Sequence, residues 1–257
     1  MCFSQNNNSN KFESPIDFPI LLSGNFGELR SSGFHSGIDI KTQGKEGLPI
    51  RSIDSGYVAR VQVSTSGFGK VVYIDHGNNI TTVYAHLSEF SDKIEKIMNK
   101  LQYKNKKYEV RKFFKSNELK IGKKEIIGLS GNTGSSFGPH LHFEIRKTDK
   151  ELPINPLYYN FDVKDTIRPY LRNLFLYGIK NGSLRKKQLN LSKVNDSTFT
   201  TGTIKTTDTI GFGIVSYDRQ NKTNNIFGNY KYSLFKNDTL SFELIFDSFT
   251  FSEKPFQ

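Results

Sequence analysis

His35, His76, His86, His140 and His142 are the five histidines of this 257-residue sequence, and residues 143–257 contain none. Several stand in close company. In FHSGIDI, His35 precedes Asp39 by four residues, and in GPHLHFE, His140 and His142 flank a single leucine. Imidazole nitrogen and carboxylate oxygen are ordinary ligands of zinc, and a free imidazole nearby is the usual proton carrier. Residues two apart in a strand project from one face, so His140 and His142 share a face if HLHFEI is extended. His35 and Asp39 share one whether their stretch is extended or helical. Asp39 with two imidazoles makes three protein ligands and leaves a fourth tetrahedral position open, which is the catalytic rather than the structural arrangement. Two imidazoles then remain to move protons. Either spacing alone arises readily by chance; their joint occurrence beside glycine-rich turns points to metal chemistry. SGNTGSSFGPH lacks the Lys-Ser/Thr of a phosphate-cradling loop and leads into a strand, which excludes that reading.

The elements that must position these residues are mainly short strands. YVARVQV, KVVYIDH and NITTVYAHL read as consecutive strands, broken by turn chemistry at Ser66-Gly67 and Gly77-Asn78-Asn79. From Asp92 to about Tyr103, apolar Ile94, Ile97, Met98 and Leu101 recur at helical spacing, with Asp92 and Glu95 as a capping pair. This helix belongs to an insertion over 88–117, and its single apolar stripe predicts packing on the β-core. Strands resume through KYEVRKFF and EIIGLSG to HLHFEIR. Two prolines in LPINPLYYNF mark a domain edge. Beyond it only strand-like pieces follow, among them RNLFLYGI, IGFGIVSY and LSFELIFDSFTF.

The chain has one cysteine, Cys2, so neither an internal disulfide nor a cysteine-rich metal site is available. Net charge is +11, and residues 93–124 hold 12 Lys/Arg against three acidic residues. With no nucleic-acid motif beside it, this charge reads as a solvated outer surface and not a nucleic-acid interface. No stretch approaches the roughly 20 apolar residues of a membrane span. The start, MCFSQNNNSN, carries no signal peptide.

FHSGIDIKTQGKEGLPIRSIDSGYV, GKVVYIDHGN, TVYAHLS and IIGLSGNTGSSFGPHLHFEIR resemble, in order, the motifs of the lysostaphin/LytM-type zinc metalloendopeptidases, which cut the peptide cross-links of bacterial peptidoglycan. The resemblance spans roughly Ser14 to Tyr158 and implies a mainly β fold, an antiparallel sheet with a groove across it. It implies one zinc per chain on His35, Asp39 and His142. His86 and His140 match the catalytic pair: His140 as general base, His86 as oxyanion holder or proton donor, with the two roles exchangeable. His76 matches a structural position, and Asn132 and Thr133 of the glycine loop are expected to line the groove. The implied partners are peptidoglycan peptide stems, met by a monomer in the periplasm or cell envelope, so an export signal is expected upstream of the recorded start. The alternative is a non-catalytic wall-binding or hydrolase-activating relative; the filled ligand and catalytic positions argue against it. The expected organisation is a flexible segment 1–13, a peptidase domain 14–160 and a β-rich domain 161–257. The last resembles the β-sandwich-like extensions on Bacteroidetes peptidases of this type, and it is expected to be incomplete at its end.

Overall fold

The computed structural model describes residues 12–30, 33–180, 183–205 and 209–251. Cys2 and nearly all of segment 1–13 lie outside them, as does the chain end. The architecture is mainly β with antiparallel sheets and one helix. The chain divides into two compact units, one of residues 2–164 with 230–257, the other of residues 165–229.

The larger unit is built on a nine-stranded sheet. Its main strands are β1 (Leu22–Gly24), β2 (Ile38–Lys41), β3 (Gly56–Val63), β4 (Lys70–Asp75), β5 (Ile80–Leu87), β6 (Val110–Phe113) and β7 (His140–Lys147). They run in the order β1-β2-β7-β5-β4-β3-β6. Alternation along β7 divides the sheet into two faces. Leu141, Phe143 and Ile145 point into the core with Ile38, Ile40, Ile74 and Tyr84, all fully buried. His140, His142, Glu144 and Arg146 point the other way. In the antiparallel register His140 lies opposite Lys41 and His142 opposite Asp39, so all four share the second face. The close approach of the two strands demands Gly37: a Cβ there would sit 2.3 Å from the Phe143 carbonyl oxygen.

The insertion folds as expected into a helix, α1 (Asp92–Asn105), followed by β6 on the edge of the sheet. Ile94 and Met98 are buried, so the helix packs on the β-core, while Lys100, Lys104, Lys106 and Lys107 are exposed. The expected Asp92 cap is corrected: Ser91 is the N-cap, without a side-chain capping bond, and Glu95 reaches back to accept the Phe90 N–H at 3.1 Å. Met98→Ala is expected to destabilise the unit by about 2–5 kcal/mol, the usual cost of truncating a buried Met. The midpoint of chemical denaturation checks it.

Residues 230–251, grouped in the sequence reading with 161–229, fold with the larger unit. The Asn155 N–H donates to the Asp247 carbonyl at 2.7 Å, and Phe249 packs on Phe26 and Phe34 with centroids at 5.0 and 5.6 Å. Such a return connects residues nearly a hundred positions apart, which no local periodicity announces. Within 165–229, strands Tyr170–Lys180, Ser183–Leu189 and Thr209–Tyr217 form a three-stranded antiparallel sheet centred on the first.

Candidate metal centre and groove

His35, Asp39 and His142 converge, although 107 residues separate the first from the last. His35 Nε2 lies 3.1 Å from Asp39 Oδ1 and 3.0 Å from His142 Nδ1, and His142 Nδ1 lies 2.9 Å from the same carboxylate oxygen. All three residues are buried. The outer nitrogens fix which atoms face inward. His35 Nδ1 is 2.7 Å from the Asn25 carbonyl, which can only accept, so Nδ1 carries the proton and Nε2 turns its lone pair inward. His142 Nε2–H donates to Glu144 Oε1 at 2.9 Å, leaving Nδ1 for the centre. Two nitrogen lone pairs and a carboxylate oxygen therefore face one another with no donor of their own between them. Such a cluster calls for a cation.

When no cation is bound, protons on the two imidazoles take its place and bond to Asp39. Burial alone would raise the Asp39 carboxyl, but hydrogen bonds from His142 and His35 outweigh it and hold the group well below the usual carboxylate range. Burial likewise opposes charge on His142, yet Asp39 and Glu144 push it up to about 9. Glu144 is fully buried and would be raised by burial, but Arg146 and His142 bring it down to about 2. The donor set fits zinc in kind and spacing: two imidazoles and a carboxylate oxygen, with separations near the edge of about 3.3 Å expected for tetrahedral bonds of about 2.0–2.1 Å.

His86 and His140 complete the site. Their ring centroids are 4.8 Å apart, and His140 Nε2 lies 3.6 Å from Asp39 Oδ1. His140 Nδ1 donates to the Gly138 carbonyl and His86 Nδ1 to the Thr133 carbonyl, both at 2.8 Å. Each thus presents an unprotonated Nε2 to the groove. Burial lowers both pKa values; for His86 the neighbouring His142 and His140 add to it and take the value to about 4. Strict alternation would carry His86 to the core face, because Ala85 shares the face of its partner His142. His86 instead has φ of +61°, uncommon for a residue other than glycine, and this turn of the backbone brings the imidazole to the groove.

The groove has a cavity volume of about 1060 Å³ and is lined by His35, Asp39, His86, His140 and His142 together with Arg30, Lys41, Phe68 and a fully exposed Phe137. Asn132 and Thr133 are not among the residues lining this cavity. Thr133 positions instead: its carbonyl accepts from His86, and its hydroxyl donates to the Leu87 carbonyl and accepts from the Lys70 N–H. The loop lies so close to residues 67–69 that a Cβ on Gly134 would meet the Gly67 carbonyl oxygen at 2.4 Å, at a φ of +74°. His76 stays outside the site, bonded to the Ser55 carbonyl and the Thr82 hydroxyl.

The sequence reading missed four supporting residues. Arg30 reaches Asp39 Oδ2 at 2.7 Å, holding the carboxylate from the side away from the centre. Glu144 holds His142, and Arg146 and Ser36 hold Glu144. Glu144 continues the same alternation as His140 and His142, so HLHFE already carried the signal.

An antiparallel sheet whose polar face gathers two histidines, an aspartate and two further imidazoles in a groove forms a mainly β domain with a candidate metal centre. The model of peptidase family M23 matches residues 33–103 and 96–156 of this chain. The chain is 32% identical over 129 residues to the DD-carboxypeptidase/endopeptidase Mpg of Neisseria meningitidis, a match covering 50% of this chain and 23% of the relative. It is 28% identical to the peptidoglycan DD-endopeptidase ShyA of Vibrio cholerae, covering 60% of this chain and 30% of the relative. The chain thus spans less than a third of either curated relative. It is also similar to the catalytic domain of the prophage-encoded protein EnpA from Enterococcus faecalis (26% identity, TM-score 0.42), over 58% of this chain and 98% of that one. No helix among the described residues is long and apolar enough to cross a membrane.

Proposed function

We propose that the chain is a zinc-dependent metalloendopeptidase that hydrolyses peptide cross-links of bacterial peptidoglycan. The observation that carries the reading is the convergence of His35 Nε2, Asp39 Oδ1 and His142 Nδ1 as three inward acceptors. These residues would hold the zinc. When bound, it supplies Lewis acidity, polarising a carbonyl and bringing the pKa of water to about 7. His140, whose Nε2 is nearest Asp39, accepts the proton of the attacking water. His86 rests neutral with its lone pair toward the groove, so it holds an oxyanion or serves the leaving amine only after gaining a proton. Phe68, stacked on His142 with centroids at 5.0 Å, shields the ligand from water. One chain furnishes the whole site, so a monomer suffices, acting outside the cytoplasmic membrane where its substrate lies.

The test is mass spectrometry of fragments released from purified peptidoglycan by the zinc-loaded protein, with and without chelator. New amine and carboxylate ends, lost on chelation and restored by zinc, are expected. Stoichiometric zinc without fragments would favour the hydrolase-activating alternative.

The buried Glu144 contributes through His142. Glu144→Gln keeps an acceptor but removes the charge that strengthens this ligand and answers Arg146. We expect metal affinity to fall roughly 10–100-fold, the usual loss on disturbing a ligand's outer hydrogen bond. Chelator competition checks it, and unchanged affinity would leave Glu144 with a packing role alone.

A further inference from the structure

The groove contains one cation that nothing in it answers. Lys41 closes β2, two residues beyond Asp39 and directly opposite His140. Alternation puts it on the face of both, with Cβ atoms of opposite residues about 4.5–5.5 Å apart. It lines the groove and is half-buried, yet its side chain has no ion pair or hydrogen bond with another described residue. The second cation of the lining, Arg30, is already engaged, with Asp39 at 2.7 Å and Glu28 at 3.2 Å. Asp39 is the one carboxylate of the lining and faces the metal centre. A half-buried ammonium in a groove without a free acid is a receptor for an incoming anion. The simple alternative, a solvated surface lysine, accounts less well for its place beside His140.

We propose that Lys41 is a specificity-determining residue that receives a substrate carboxylate flanking the scissile bond. This deepens the proposed hydrolase reading and rests on it. Two strand positions separate Lys41 from Asp39, a span of roughly 7 Å, and the flexible four-carbon stem of Lys41 lets its ammonium meet a carboxylate on the residue adjoining the scissile amide. The substrate class selected is a cross-link whose residue next to the cleaved amide carries a free carboxylate. An uncharged glycine bridge offers Lys41 nothing.

The experiment uses the full chain loaded with zinc and two soluble cross-linked peptides, identical except that the flanking carboxylate is free in one and amidated in the other. Wild type is expected to prefer the acid by roughly 10–100-fold in kcat/KM, the worth of one charge-assisted hydrogen bond. In Lys41→Gln this acid-to-amide ratio should collapse toward one, and Lys41→Arg should restore most of it, with zinc content equal in all three. An unchanged ratio in Lys41→Gln overturns the proposal while leaving the hydrolase reading standing. Failure of wild type to cleave either peptide or peptidoglycan itself would overturn both.

Discussion

Replacing His142 with alanine is expected to yield a folded protein that no longer retains zinc and no longer hydrolyses wall peptides. His142 Nδ1 is one of three inward acceptors within 3.1 Å of one another, and its outer nitrogen is held by Glu144. Loss of a ligand must cost more than the roughly 100-fold that disturbing a ligand's outer hydrogen bond can cost. Metal content after gel filtration and turnover should vanish together. Asp39→Asn should lose affinity for a second reason, since it also removes the charge that answers Arg30. A His142→Ala protein with stoichiometric zinc and normal turnover would sink the assignment.

The second large effect separates proton transfer from metal binding. His140→Ala and His86→Ala should keep zinc, because neither ring belongs to the converging trio, yet turnover should fall roughly 10²–10⁴-fold, the usual contribution of a general acid or base. The left-handed backbone at His86 provides a control. Such a conformation costs a residue other than glycine about 1–2 kcal/mol, so His86→Gly should match or exceed wild type in thermal stability while being catalytically poor. A fully active His86→Gly protein would remove His86 from the mechanism.

Parts of this site were legible in the sequence for a definite reason. H-x-H falls on strand β7, where period-two alternation translates spacing directly into a shared face; of H-x₃-D only Asp39 lies on β2, and His35 reaches the centre from the segment before it. His86 was legible only by resemblance: alternation sends it to the wrong side, and a single positive φ, which no propensity signals, reverses it. Arg30 was hidden because its bond to Asp39 depends on the pairing of Leu29–Arg30 with Gly33–Phe34, which no local spacing announces. Asn132 and Thr133 lie in the right loop, but that loop meets residues 67–69 and its backbone, not its side chains, serves the site. The helix was visible in its apolar stripe; its cap fell one residue earlier than the charges suggested.

The return of residues 246–249 to the larger unit bears on the order of events at the ribosome. Phe246 packs on Phe34, the residue before His35, and Phe249 packs on Phe26 and Phe34. These aromatics are translated after the whole of 165–229, so 107 residues separate His142, which completes the histidine pair of β7, from Phe249, the last support of the His35 loop. At about 5–20 residues per second, that is a delay of roughly 5–20 s. During that interval the nascent chain has every ligand of the candidate metal centre but an unsupported His35 loop. Arrested chains of increasing length should therefore gain tight metal retention late, only once Phe249 has cleared the exit tunnel.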